Sequence, residues 1–249
     1  ELPYTLQWNV AFDQGMGSGQ TLTASYVGSA GRRLLQTAIF LPPNPNFAQA
    51  RLIANAATSD YDALQIQFQR RLSKGLQVLA SYVWSHSIDD GSASSGNFVG
   101  NTFVPHTDSA TNRGPSDFDI RNSISLAVTY DIPAPGGSRL AKAVLGGWSL
   151  HNVIQARSAP PVDVFDSLLG QVLLNAQTHI RPDVVPGQPF YISGTQYPGG
   201  KALNPAAFVA PEAGKQGNLG RNTLRGFGAS NWDLAIHRDF LIRDPLKLQ

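Results

Sequence analysis

Apolar and polar residues alternate one by one wherever the chain shows a regular pattern, and this period of two marks β-strands whose faces meet different surroundings. Over residues 5–13 the apolar set is Leu6, Trp8, Val10 and Phe12, with Gln7 and Asn9 opposite. A turn with Gly15, Gly17 and Gly19 follows. Leu22, Ala24 and Tyr26 then alternate with Thr21, Thr23 and Ser25, completing a predicted hairpin. Residues 61–72 set Leu64, Ile66 and Phe68 against Gln65, Gln67 and Gln69. Residues 76–87 set Val78, Ala80, Tyr82 and Trp84 against Gln77, Ser81 and Ser85, with only Ser73, Lys74 and Gly75 between the two strands. A fifth strand is predicted near residues 120–132, where Ile124, Leu126, Val128 and Tyr130 oppose Ser123, Ser125 and Thr129. A sixth, near residues 147–157, alternates less cleanly. A seventh, over residues 231–240, places Trp232, Leu234, Ile236 and Phe240 opposite Asp233, His237 and Asp239.

These segments are longer than the usual strand of about five or six residues and close to the ~9–11 that a tilted membrane crossing needs. The connections alternate too. Short turns around Gly15, Lys74, Gly136 and Asp244 are interleaved with long loops at roughly residues 28–60, 88–117 and 158–228. Outer-membrane barrels combine short periplasmic turns with long extracellular loops in this way. With the long loops outside, Tyr26, Tyr61, Trp84, Phe118 and Trp232 fall near the outer strand ends, and Phe12, Tyr130, Trp148 and Phe240 near the inner ends. Two aromatic girdles are therefore expected. Gln65, Gln67, Gln69, Gln77, Ser81, Ser123, Ser125 and Gln155 are expected to face the lumen.

Few charges fall on the apolar faces. Arg70 and Arg238 lie close to predicted periplasmic turns, where a lipid-facing Arg costs about 0–1 kcal/mol instead of the ~2–4 expected at the midplane, and where its stem can snorkel. Asn152 falls mid-strand on the lipid-facing set, and a bulge or shifted register is expected to turn it away. The predicted fold is all-β: an antiparallel transmembrane β-barrel segment of about seven or eight strands. The competing reading is a soluble extracellular β-sandwich, one that binds glycans, with each polar face in water. Loop asymmetry and the aromatic ends favour the barrel.

Composition narrows the field further. The 249 residues are 42% hydrophobic and 14% charged, below the roughly 25% charge of typical soluble chains, yet they hold no apolar run of the ~18 residues a spanning helix needs. With no Cys, thiolate zinc sites, disulfides and cysteine nucleophiles are excluded. A net charge of +2 without a basic run gives no footprint for nucleic acid. The sequence opens at Glu1 without a signal-peptide pattern and closes at Gln249 in what reads as the start of a strand. It is therefore read as one piece of a longer barrel, spanning residues 1–249.

Specific stretches add to this. Tyr61-Asp62-Ala63-Leu64-Gln65, continuing through Arg70-Arg71-Leu72-Ser73-Lys74-Gly75 to Ala80-Ser81-Tyr82-Val83-Trp84-Ser85-His86-Ser87, resembles the barrel domain of Oar-like TonB-dependent receptors. So do Tyr26-Val27-Gly28-Ser29, the run from Arg113 through Ser116-Asp117-Phe118-Asp119 to Arg121, and the segment from Asn204 through Gly217-Asn218-Leu219-Gly220-Arg221-Asn222 to Gly226. The resemblance covers nearly the whole chain. It implies the outer membrane of a Gram-negative bacterium, contact with outer-membrane lipid, and binding and gated uptake of a bulky solute. It also implies drive from a TonB-type energy-coupling complex acting through a plug and N-terminal parts that this sequence does not show. A roughly 22-stranded transporter barrel exceeds what these residues supply, so an open sheet with an unpaired edge is expected. An outer-membrane adhesin or structural barrel without transport is the alternative.

No enzymatic chemistry is expected, and no cofactor or metal is assigned. Ser85, His86, Ser87, Asp89 and Asp90 superficially offer a triad, but neighbouring strand residues point to opposite faces, whereas nucleophilic catalysis needs a base held against the hydroxyl. His106, His151, His179 and His237 lack zinc spacing. Gly15, Gly17 and Gly19 join two strands and not a strand to a helix, so a dinucleotide fingerprint fails. Asp89-Asp90-Gly91 and Asp117-Phe118-Asp119 could offer oxygens to calcium, although neither follows the EF-hand pattern. Arg113, Asp117, Asp119 and Arg121 are expected to pair among themselves or with neighbours. The Pro- and Gly-rich residues 158–230 are too long for a simple connection and should carry short strands, one near residues 190–193.

Overall fold

The computed structural model describes residues 2–17, 19–40, 46, 50–92, 112–133, 136, 138, 146–165, 180–212, 215–243 and 246–248. Its strands are β1 (Tyr4–Gly15), β2 (Gln20–Phe40), β3 (Ala50–Ser73), β4 (Leu76–Asp89), the two-residue β5 (Gly114–Pro115), β6 (Asn122–Asp131) and β7 (Trp148–Arg157). Six short strands follow: β8 (Pro161–Val162), β9 (Asp183–Val184), β10 (Tyr191–Ser193), β11 (Lys201–Leu203), β12 (Phe208–Val209) and β13 (Leu224–Arg225). Then come β14 (Ala229–Arg238), β15 (Phe240–Arg243) and β16 (Leu246–Leu248). One antiparallel sheet runs β1-β2-β3-β4-β6-β7-β14, with β5 beside β4. Among the described residues β1 and β14 are each paired on one side only, so the sheet is open.

Register decides the sidedness of this sheet, because a slip of one residue would move every side chain of a strand to the other face. No such slip occurs through the ordered wall. Phe68, Ala80, Leu126, Ile154 and Trp232 form one continuous cross-strand row. Val10, Tyr26, Leu64 and Trp84 form another. The apolar sets of all seven strands thus share one face, although each was inferred from its own strand alone. That face is bare: Val10 is 70% exposed, Phe12 66%, Ile236 59% and Trp232 67%. Seven strands that present their largest apolar side chains outward, in register, form a wall built for hydrocarbon. β6, β7 and β14 are ten residues each. At about 3.4 Å per residue and a tilt near 40°, such a strand rises roughly 26 Å, the height of the apolar band of an outer-membrane barrel.

Asn152 departs from the expectation. It pairs with Val128 and Leu234 in unbroken register and stays on the apolar face. Instead of a bulge, the diagonal neighbour Trp232 supplies a partner, donating its indole N–H to the Asn152 Oδ1 at 3.3 Å. Cross-strand diagonals lie within reach of a long aromatic side chain, so a paired amide is carried on this face at lower cost than a bare one.

The first long loop is also different from the prediction. Residues 28–60 are in large part strand, since β2 continues to Phe40 and β3 starts at Ala50, pairing from Leu34↔Ala57 to Phe40↔Ala50. A bulge separates this ribbon from the wall. Register shifts on either side of Leu34, and Arg33 has a positive φ of 56°. Beyond the membrane no lipid face enforces alternation, which is why the ribbon's Ala-, Leu- and Ile-rich sequence carried no period-two signal.

At the opposite end one backbone device recurs. Gly75 and Gly147 have φ of 76° and 77°, and their carbonyls accept from the N–H of Asp131 and Asp239 at 2.7 and 2.8 Å. A Cβ on either glycine would lie 2.5–2.6 Å from the carbonyl oxygen of that same aspartate. Only glycine combines this conformation with such an approach. The guanidinium of Arg238 lies over the rings of Trp148 and Phe240, 5.3 and 4.4 Å from their centroids, at this inner end. The turn at Asp244 and most of that around Gly136 lie outside the described residues.

Among the described residues, the sheet buries only small or polar side chains toward its outer end, such as Ala30, Ala57, Ala63, Ser87 and Asp89. Ile180, Arg181, Ala207, Leu219, Arg221, Asn222 and Leu224 are buried in a layer of short strands, within residues 180–212 and 215–228, folded over the outer end. As expected for residues 158–230, this layer is built of small pairs: β8 with β13, β9 with β12, β10 with β11.

Candidate functional site

The polar face of the wall and the cluster that fastens the loop layer onto it are the first candidate features. The polar face follows from register. Thr23, Gln67, Ser81, Ser125, Gln155 and Asn231 form one row across six strands. Gln65, Gln69, Gln77 and Ser123 share that face by the same pairings, so the eight residues selected from sequence stand together. Its rows offer mainly hydroxyls and amides, interspersed with Leu79, Val83, Ala127 and Val153, and the same pairings place Asp13, Arg157 and Asp233 on it. A groove of about 400 Å³ is lined by Ser123, Ser125, Gln155, Arg157 and Asn231 among others, and one of about 200 Å³ by Thr23, Ser25, Gln65, Gln67 and Ser81. Such a surface can hydrogen-bond a polar partner.

Among the girdle residues, Tyr26, Trp84, Tyr130, Trp148 and Trp232 lie on the apolar face. Tyr61 does not. It pairs with Ser29 and Ser87 and lines a groove on the polar face with Gln7, Asn9 and Val27. Its position is odd-numbered, whereas the apolar residues Leu64, Ile66 and Phe68 of β3 are even-numbered, and this parity fixes its side.

The outer cluster centres on Arg221, whose side chain is 3% exposed. It donates to Asp89 Oδ1 at 2.7 Å, to the Ser92 carbonyl at 2.6 Å and to Asp117 Oδ1 at 3.2 Å. Asn222, at φ 54°, donates to Asp117 and to the Pro115 carbonyl. Arg225 pairs with Asp119, which also receives the Ser87 N–H and the Arg121 guanidinium. Arg181 donates to the Leu219 carbonyl and to Asn112. Asp90 accepts from the N–H and hydroxyl of Thr58. Three chain segments far apart in sequence are thereby fixed to the ends of β3 and β4.

Burial alone would raise the pKa of Asp89. Hydrogen bonds from Ser116 and the Ser92 backbone, together with Arg221, outweigh it and hold the carboxyl below the usual carboxylate range. The same holds for Asp119, where burial is outweighed by Arg225, the Ser87 N–H, His86 and Arg121. The expectation that Arg113, Asp117, Asp119 and Arg121 pair locally is met by Arg121 with Asp119 at 3.0 Å. Asp117 and Asp119 otherwise find Arg221 and Arg225, about a hundred residues away, and Arg113 finds Asp60.

The side chains behind the other candidate chemistries have structural partners. His86 lies between Asp119 on Nδ1, at 3.2 Å, and Arg121 on Nε2, at 3.1 Å. These partners assign the proton to Nδ1 and leave no ring nitrogen facing a serine. Ser85 donates to the Ile120 carbonyl, and Ser87 meets Ser116. The aspartates considered for calcium are engaged by arginines, Thr58, Asn222 and backbone N–H groups, and no group of three metal-binding side chains occurs among the described residues. His151 meets Thr129 and Ser149 and packs edge-on against His237. His106 and His179 lie outside the described residues.

The loop half of the cluster was missed in the sequence. Its one available signal was the Arg221-Asn222…Arg225 spacing inside the Gly217–Gly226 stretch, already singled out by resemblance but not connected to any partner.

Comparison with known proteins agrees with the wall. The sequence matches a family model described as an outer membrane beta barrel domain over residues 1–249. No curated protein matches it. The crystal structure of the outer membrane transporter YddB from Escherichia coli is similar at 11% identity and a TM-score of 0.45, over 66% of this chain and 22% of that one. This chain thus spans less than a quarter of that transporter's length. With the family match running from first residue to last, and an apolar face built for lipid, the chain belongs to the outer membrane beta-barrel domain family and its wall stands in the outer membrane.

Proposed function

We propose that the chain forms part of the barrel wall of an Oar-like, TonB-dependent receptor, with its polar face lining the lumen and its loop layer on the extracellular side. The observation that carries this reading is the pairing of a face rich in hydroxyls and amides, with one such row continuous across six strands, with a folded layer fastened over its outer end by buried arginines. A barrel that only anchors itself needs no such roof. The role assigned is binding and gated passage of a bulky solute, with no turnover. Energy coupling is assigned to a plug and a TonB-type complex acting through other parts of the receptor.

The test compares cells carrying the full-length gene, cells lacking it, and cells lacking the coupling protein. Depletion of solutes from growth medium is followed by mass spectrometry. Depletion of a common set of solutes only when receptor and coupling protein are both present supports the reading. Identical depletion in all three strains contradicts it and leaves an adhesin or structural barrel.

A further inference from the structure

We infer that Arg32 and Arg113, bridged by Asp60 at the outer rim of the apolar face, form a binding site for a phosphate group of an outer-leaflet glycolipid. The site is separate from the polar face, and the inference rests on outer-membrane location, not on transport.

Height is the first argument. Leu22 is the innermost large apolar residue on the lipid side of β2, and Arg32 follows ten residues later. Ten residues of a strand tilted by about 40° climb roughly 26 Å, so Arg32 stands at the top of an apolar band about 25 Å tall, at headgroup level.

Face is the second. Arg32 pairs with Tyr4, in line with Leu6, Trp8 and Val10 on the apolar side of β1. The bulge at residues 32–34 re-aims the chain. The Arg33 guanidinium consequently lies over the Tyr4 ring, 5.7 Å from its centroid. Two successive arginines are thus brought to one rim. An amphiphile would find apolar Leu6, Trp8 and Val10 directly beneath these cations.

Electrostatic arrangement is the third. Arg32 donates to Asp60 at 2.7 Å and to the carbonyls of Gly31 and Ser59 at 2.8 and 2.9 Å. Arg113 donates to the other Asp60 oxygen and to the Thr58 hydroxyl. One carboxylate therefore holds two guanidiniums side by side while cancelling one of their charges. Both arginine side chains remain 37% exposed. Asp62, two residues closer to the membrane centre, accepts from the Tyr26 hydroxyl. Counting Arg33 and Asp62, the rim carries a surplus of one positive charge. Paired, preorganised guanidiniums are the groups best shaped for a phosphate.

The test uses the full-length receptor in detergent, titrated in native mass spectrometry with bis-phosphorylated lipid A, dephosphorylated lipid A and inorganic phosphate. The variants are Arg32→Gln with Arg113→Gln, and Arg32→Lys with Arg113→Lys. Heat-modifiable gel migration verifies that each barrel is folded. The glutamine pair is expected to weaken lipid A binding by about tenfold or more, and the lysine pair, which keeps the charge but loses the guanidinium fork, by less than the glutamine pair. Dephosphorylated lipid A should bind the unaltered receptor no better than lipid A binds the glutamine pair. A glutamine pair that binds as the unaltered receptor does, or equal binding of both lipids, overturns the site. Saturable binding of inorganic phosphate as tight as that of lipid A overturns the lipid assignment.

Discussion

Replacing Arg221 with Leu should open the outer layer while leaving the wall intact. Arg221 is the shared donor of that layer, reaching Asp89, Asp117 and Ser92 from a side chain only 3% exposed. Asp89, at 7% exposure, keeps its backbone partners Gly91 and Ser92 but loses its guanidinium. Removing one partner of a buried pair costs about 3–5 kcal/mol, because the remaining charge stays buried and uncompensated. At ~1.4 kcal/mol per tenfold, this is a roughly 10²- to 10⁴-fold rise in the local opening equilibrium. Amide hydrogen exchange of the full-length protein in lipid reads that equilibrium directly. Peptides covering residues 112–121 and 215–228 should exchange about 100-fold faster or more, with β6 and β7 unchanged. Adding Asp89→Leu should restore part of the protection, since removing both charges is far less costly than removing one. Acceleration below about tenfold, or an equal rise across β6 and β7, would refute the assignment of Arg221 as a local clamp.

Other consequences test other parts of the account. Leu126→Arg, on the apolar face near mid-strand, should destabilise the full-length barrel by about 2–4 kcal/mol in urea titrations from lipid vesicles, whereas Ser125→Arg should cost far less. Gly75→Ala forces a Cβ against the Asp131 carbonyl at positive φ and should cost about 1–3 kcal/mol in the same titration. Asp89 and Asp119 have folded pKa values below their unfolded ones, so their contribution is present above the unfolded pKa near 4 and is lost as pH falls through the folded value. Exchange of residues 112–121 should therefore be steady from neutral pH down to about 5, after correction for intrinsic rates, and accelerate below about 4. Steady protection to far lower pH would contradict that linkage.

The wall was legible because strand alternation is local: each of Leu64, Ile66 and Phe68 declares its face through its immediate neighbours, and sequential hairpins then fix the order of the sheet. Tyr61 shows the same rule applied too loosely. Its height near the strand end suggested a girdle, but its parity relative to Leu64 places it on the other face. The β2–β3 ribbon was invisible for a physical reason, since outside the lipid both faces meet water and no alternation is required. The outer cluster was hidden by distance: Asp89 and Arg221 are 132 residues apart, and no local pattern announces such a pair. Asn152 misled in the opposite sense. Its polarity suggested a break in register, whereas a tryptophan on the next strand satisfies it in place.

The central claim is that one face of this wall meets lipid and the other does not. Single cysteines placed at each of residues 123–130, in a stretch that has none of its own, can carry a nitroxide label in the full-length protein reconstituted in bilayers. Collision rates with oxygen, which concentrates in lipid, and with a water-soluble nickel chelate then report the surroundings of each position. Oxygen should dominate at 124, 126 and 128, and oxygen accessibility should drop at 123, 125 and 127, giving a period of two. A flat profile, or oxygen maxima at Ser123, Ser125 and Ala127, would contradict the account.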